Sequence, residues 1–134
     1  MIKLFIDHRE SELKEYFDKK ENVFFSNLDV GDIQFTFNDE ISLVIERKNI
    51  TDLATSIKDG RYREQKIRLL NNIDRNKIIY LIEGNIRVGN IAGLPHTTLL
   101  GSMINAMLRD NLKVYRTNNL DETICFIELI LSKL

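Results

Sequence analysis

Gly31-Asp32-Ile33-Gln34-Phe35-Thr36-Phe37-Asn38-Asp39-Glu40-Ile41-Ser42-Leu43-Val44-Ile45-Glu46-Arg47-Lys48 reads as two extended segments around a polar turn. In the first, from Val30 to Phe37, Ile33, Phe35 and Phe37 share one face and Asp32, Gln34 and Thr36 the other, the period of two that marks a half-buried strand. Asn38-Asp39 is the turn signal, and Ile41 to Lys48 returns. If Phe37 pairs with Ile41, then Phe35 faces Leu43, Ile33 faces Ile45, and Asp32 faces Glu46. A one-residue slip sets Ile33 against Val44, Phe35 against Ser42 and Phe37 against Glu40, scrambling the apolar row, so the first register is expected. It places two carboxylates across a ladder at about 5 Å between their backbones, and they repel unless a cation or proton lies between them. Lys48, two residues past Glu46, shares its face, while Arg47 points the other way.

Working outward, Lys3 to Asp7 reads as a neighbouring strand that ends on a third acid, Asp7. Hard oxygen ligands with an ammonium alongside suit magnesium, which binds carboxylates, keeps several of its waters, and leaves room for a phosphate oxygen and an attacking water. Phosphodiester hydrolysis is the chemistry such a donor set fits. The competing reading is an ordinary charged strand pair whose acids Lys48 neutralises at the surface.

The remaining segments alternate in type. A helix is expected over Glu12 to Lys19, and another starts near Thr51 or Asp52 and pauses at Asp59-Gly60. A third helix runs from Arg61 to about Asn72. Ile78 to Ile82 is a continuous apolar run, which suits a central strand covered on both faces. A helix over Thr97 to Arg109, a strand over Leu112 to Arg116 and a closing helix over Leu120 to Leu134, capped by Asn118 or Asn119, complete the chain. Alternating strands and helices make this an α/β domain. The only proline is Pro95, and no linker or repeat marks a boundary. The closing helix carries apolar residues beyond a single stripe, which calls for a partner surface unless the helix is buried all round.

With 134 residues and 43% hydrophobic content, the chain has the length and apolar fraction of one globular domain, not of a disordered segment. No apolar run approaches the roughly 18 residues of a membrane span, and the amino end lacks a signal segment. The lone Cys125 permits neither an intrachain disulfide nor a zinc site built on paired thiolates, so an intracellular location is expected. The 19 basic and 20 acidic residues nearly cancel, but Lys58 to Lys77 holds seven positive and three negative side chains. That segment is either a solvated helix face or a nucleic-acid footprint.

Gly31-Asp32, followed by Glu46-Arg47-Lys48 and then Asp52, resembles the GD…ERKxxxD signature of the XPF-type structure-selective endonucleases. Asp7-His8-Arg9-Glu10 is similar to the family's DxRE, and the tract Asp52 to Leu69 to its D-L-x-x-S-I-x-D-x-R-[FY]-x-E-Q-K-x-R-L segment. Tyr80-Leu81-Ile82-Glu83-Gly84 and Arg116-Thr117 match two later motifs, so the likeness covers essentially the whole chain. The resemblance implies a restriction-endonuclease-like three-layer α/β fold, a central mixed sheet flanked by helices. It implies a single nuclease domain over residues 1–134, without the helix-hairpin-helix or helicase regions of relatives. The implied activity is Mg2+-dependent hydrolysis (Mn2+ as substitute) of branched DNA near a single-strand/double-strand junction, in repair or recombination. Asp32, Glu46 and the Arg47 backbone carbonyl would hold the metal, with Asp7 direct or through water, and Lys48 would orient the attacking water. Arg9 and Glu10 are motif residues with a structural or a catalytic part, and Asp52 either caps the next helix or supports the metal ligands. Arg47 would tie its strand to the opposite layer. Arg61, Arg63, Gln65, Lys66 and Arg68 would contact DNA, with Gln65 and Lys66 approaching the scissile phosphate. A homodimer or heterodimer through the C-terminal helices is the implied assembly. The alternative is a non-catalytic DNA-binding or scaffold subunit, which has no reason to retain Asp7, Asp32, Glu46 and Lys48 together.

Overall fold

The computed structural model describes residues 1–134. In chain order the elements are β1 (Ile2–Asp7), α1 (Ser11–Phe17), β2 (Val23–Ser26), β3 (Ile33–Phe37), β4 (Glu40–Asn49), α2 (Ile50–Lys58) and α3 (Arg61–Asn72). A single 3-10 turn at Arg75–Lys77 leads into β5 (Ile78–Glu83), and a minimal hairpin of β6 (Asn90–Ile91) and β7 (Leu94–Pro95) follows. α4 (His96–Leu108), β8 (Lys113–Thr117) and α5 (Leu120–Lys133) close the chain. The main sheet has the order β2-β1-β3-β4-β5-β8. β3 runs antiparallel to both β1 and β4, while β2 on β1, β5 on β4 and β8 on β5 are parallel. The sheet is therefore mixed, and β5 is an interior strand, as its unbroken apolar run requires.

Two cores sandwich it. On one face, Leu4, Ile6, Ile33, Phe35, Ile45 and Leu81 pack against Leu13 and Phe17 of α1 and Ile124 and Ile127 of α5. On the other, Ile78, Tyr80 and Ile82 pack against α2, α3 and α4 through Leu53, Leu69, Leu99 and Met103. In β4, Glu46 and Lys48 register beside Tyr80 and Ile82, and Arg47 beside Leu81. Glu46 and Lys48 thus face the α2–α4 layer and Arg47 faces the α1/α5 layer, as the strand period demands.

The β3/β4 hairpin keeps the expected register at the site end, with Ile33 opposite Ile45 and Phe35 opposite Leu43. At the turn end it does not. Thr36 pairs with Ile41 and Phe37 with Glu40, across a register shift between Phe35 and Thr36. Asn38 and Asp39 both take positive φ, +52° and +68°, the backbone of a two-residue type I′ turn, whose twist suits a hairpin. Such a turn joins Phe37 directly to Glu40, which is the slipped register, and the bulge at Ser42 restores the apolar row. In consequence Thr36 is buried and Phe37 is 51% exposed.

β2 is absent from the sequence-based expectation. It has only four residues, without alternation, and exists because Leu4 to Asp7 offer it a parallel edge. The closing helix is capped by Asn119, whose side chain accepts from the Glu122 N–H. Its inner residues Thr123, Ile124 and Ile127 are buried, while Leu129 remains exposed and Phe126 stacks on Tyr115 of the edge strand β8.

Gly31 precedes the site at φ +72°, and a Cβ there would lie 2.3 Å from Val44 Cγ1 and 3.2 Å from the Ile45 carbonyl oxygen. Gly60, between α2 and α3, has φ +76°, and a Cβ added to it would meet nothing within 4 Å. Gly31→Ala should therefore cost about 2–3 kcal/mol, clash plus strain, and Gly60→Ala about 1 kcal/mol of strain alone. Urea denaturation of the two variants checks this; equal losses would show that the Val44 contact relaxes freely.

Candidate active site

Asp7 ends β1, and the chain turns over it at once. Its Oδ1 accepts the Arg9 backbone N–H at 2.9 Å and Arg9 Nε at 2.9 Å, while Oδ2 accepts Arg9 Nη2 at 3.3 Å and the Leu28 N–H at 3.0 Å. Those four bonds fill the acceptor capacity of a carboxylate. Asp7 is buried, and the Arg9 hydrogen bond above all holds its pKa down to about 2. The oxygens that direct coordination would use are therefore committed to Arg9 and Leu28.

Asp32 is pinned by its backbone between two strands: its N–H donates to the Ile45 carbonyl and its carbonyl accepts the Asp7 N–H, each at 2.9 Å. Its Oδ2 accepts the Arg47 N–H at 2.8 Å. Asp32 and Glu46 share a cavity of about 140 Å3 with Arg9, Gln65, Arg68 and Asn72. Burial pushes the Asp32 carboxyl up, against the Arg47 N–H. Burial, then the Asp32 and Glu10 charges, push Glu46 up to about 8, with Lys48 and Arg9 opposing. Asp32 Oδ1 and both Glu46 oxygens accept no hydrogen bond within the chain, leaving oxygen donors aimed at one space. No group of three His, Cys, Asp or Glu side chains is arranged to hold a metal ion. Two carboxylates fit magnesium that keeps most of its waters, not a metal in an all-protein cage. Lys48 Nζ donates to Gln65 Oε1 at 2.8 Å, which ties the ammonium to α3 beside a residue of the cavity wall.

Behind the site, Arg47 is clamped. Its Nη1 donates to Glu10 Oε2 at 2.7 Å, and its Nε and Nη2 donate to the two oxygens of Glu83 at 3.0 and 2.9 Å. Glu83 also accepts from the Thr123 hydroxyl, which leaves Thr117 as the donor in the 2.7 Å Thr117–Thr123 bond. The DxRE, ERK, YLIEG and RT segments thus meet in one hydrogen-bonded chain. Glu10 and Arg47 take a structural part here, as an ion pair.

The expected nucleic-acid residues separate into two groups. Gln65 and Arg68 line the acidic cavity. Lys66 does not approach it: its Nζ pairs with Asp110 at 2.8 Å and sits over the Tyr62 ring, on the far side of α3 with Arg63 and Arg109. Arg61 is exposed and pairs with Asp59. The helical period explains the split, since Gln65, Arg68 and Asn72 follow i, i+3, i+7 and Lys66 lies a hundred degrees away. Asn72 and Asp29 are polar cavity residues that sequence reasoning misses, though for Asn72 that spacing is there to read. Asp52 is not the helix cap; Asn49 is, its side chain accepting the Asp52 N–H at 2.8 Å. The Asp52 carboxylate lines a polar cleft with Glu10, Arg47 and Glu83, on the Arg47 side of β4.

A mixed sheet flanked by helices, with this acidic cleft at one end of its hairpin, has the restriction-endonuclease-like fold. The ERCC4 domain description matches residues 6–130, and the chain belongs to that family. The human structure-specific endonuclease subunit MUS81 is 38% identical over 87 residues, covering 65% of this chain and 15% of that protein. The crossover junction endonuclease mus81 of Aspergillus fumigatus is 38% identical over 88 residues, 63% of this chain and 15% of its own length. The chain thus spans about 15% of these two relatives. XPF from Aeropyrum pernix, in complex with DNA, matches the fold with a TM-score of 0.74 over 99% of this chain and 66% of that one, at 24% identity.

Arg47→Ala leaves Glu10 and Glu83 unpaired, and should cost about 3–5 kcal/mol. Adding Glu10→Gln and Glu83→Gln should recover part of the loss in chemical denaturation. For Glu46 the sign is reversed. Its folded pKa, about 8, lies above its ordinary 4.5, so the folded protein binds the extra proton between those values and loses stability as pH rises through them. In EDTA, Glu46→Gln should be neutral near pH 4 and stabilising at pH 8, by about 1–3 kcal/mol. Melts at the two pH values test this, and a gain at pH 4 alone would contradict it.

Proposed function

We propose that residues 1–134 form the nuclease domain of a structure-selective endonuclease, hydrolysing one phosphodiester of flapped or forked DNA near the junction. The observation that carries this reading is the convergence of Asp32 and Glu46 on one cavity, with Lys48 bonded to Gln65 of its wall, in a chain of the ERCC4 family. The relatives named as structure-specific and crossover junction endonucleases, and a fold neighbour in complex with DNA, support the substrate class.

Asp32 and Glu46, with the Arg47 carbonyl, would hold Mg2+ or its substitute Mn2+, and Asp7 would join them directly or through water. Bound there, the ion supplies Lewis-acid stabilisation of a phosphoryl oxygen and a nucleophile at neutral pH. Occupancy also relieves the repulsion that raises Glu46, since a neighbouring cation favours the ionised carboxylate. Lys48, steadied by Gln65, presents a fixed positive charge to the attacking water and to the charge that develops on the phosphate. Arg68, and at longer reach Arg61 and Arg63, would position the DNA backbone.

The edge strand β8 exposes Tyr115, and α4 exposes Ile104, Met107 and Leu108, more apolar side chains than one end of a small monomer ordinarily leaves in water. That surface supports pairing with a second nuclease domain, identical or related, beside the C-terminal helix.

Cleavage of end-labelled 3′-flap, 5′-flap, splayed-arm and plain duplex DNA in Mg2+ or Mn2+ tests the reading. The wild type should cut flapped or forked substrates in preference to duplex, and Asp32→Asn and Lys48→Ala should each lower the rate by about 100-fold or more. Folded protein that binds forked DNA and cuts nothing would instead identify a scaffold subunit.

A further inference from the structure

We propose that Arg9 is an internal cation that occupies Asp7 in place of a metal ion, and releases it when a substrate phosphate enters the cavity. This rests on the nuclease reading above and concerns how that site is loaded. Three of the four hydrogen bonds that saturate Asp7 come from Arg9, two of them from its guanidinium. The two partners differ in what they lose on separating. The Arg9 side chain is 78% exposed and the Asp7 side chain 2%. A departing guanidinium regains water, whereas the carboxylate stays buried with only backbone N–H groups, a costly state for a charge. Arg9 is therefore the partner that moves, and its departure demands that another cation take its place.

The surroundings say where it goes and what replaces it. Arg9 lines the same cavity as Asp32 and Glu46, where the scissile phosphate would lie, and a guanidinium binds a phosphate through two parallel bonds as readily as a carboxylate. With Arg9 turned to phosphate, Asp7 becomes a third acid beside the two whose oxygens are free. While it holds Asp7, no three acids are arranged for a metal. Cation and substrate then strengthen one another through a single side chain, and linkage requires the effect to be reciprocal. Metal is held loosely until DNA arrives.

The test is a double-mutant cycle in Mn2+ affinity, measured by calorimetry without DNA on EDTA-stripped wild type, Arg9→Ala, Asp7→Asn and the double variant, with thermal melts to verify folding. Arg9→Ala should tighten Mn2+ binding about fivefold or more when Asp7 is present, and less than about twofold on Asp7→Asn. Equal factors in both backgrounds would mean that Arg9 acts only as a nearby charge, and no change would mean that it does not compete; either overturns the proposal. Arg9→Lys keeps the charge and loses the fork, so it should tighten binding too, and wild-type affinity in that variant counts against the idea. In a Lys48→Ala background, Mn2+ should tighten forked-oligonucleotide binding in fluorescence anisotropy, and adding Arg9→Ala should remove that gain. A fork that does not bind at all would refute the branched-DNA reading and the role given to phosphate, while the calorimetric cycle still decides whether Arg9 and metal compete for Asp7.

Discussion

The Arg47 guanidinium lies between Glu10, at the entry to α1, and Glu83, at the end of β5, with Glu83 tied onward through Thr123 to Thr117. The Arg47, Glu10 and Glu83 side chains are only 11%, 16% and 14% exposed, so each charge depends on the others. A long buried cation would be a poor choice for stability alone, because desolvation offsets most of the attraction. What it supplies is position. The same residue whose side chain is fixed behind the sheet presents its backbone N–H to Asp32 in front. Four separated motif segments are held in one arrangement by the geometry of a planar fork.

On the front of the sheet the balance is opposite. Asp32 and Glu46 are half-buried side by side with few donors, and desolvation pushes both carboxyls up. Asp7, an acid of the same kind a strand away, is pushed down because Arg9 and Leu28 satisfy it. Three carboxylates thus occupy different electrostatic states: burial raises Asp32 and Glu46, and at Asp7 the donors outweigh it. The unsatisfied pair is a store of unfavourable energy that a cation would release, and the saturated one is held in reserve.

Much of this is legible in the residues. The alternation of β3 and β4 locates the acid pair, the spacing of Glu46 and Lys48 places them on one face, and the uninterrupted run at Ile78 marks an interior strand. The unread parts share one cause: they depend on partners distant in sequence or on backbone conformation. β2 needs the edge of β1, and the partner that Lys66 finds on its own face of α3 is Asp110, after α4. The grip of Arg9 on Asp7 follows from a tight turn that composition does not reveal. Asn49 takes the cap that Asp52 was free to take, because the helix begins at Ile50, three residues before an Asp52 cap would start it.

The bulge at Ser42 divides the β3/β4 ladder into two segments of different register. Beyond it, pairing is dictated by the two-residue turn; before it, by the packed apolar row that carries Asp32 and Glu46. One extra residue is taken up at this irregularity, so the register that the turn imposes is not the register that aligns the acids. The acids at the base of the hairpin are therefore aligned by the packed row and not by the turn that joins its strands.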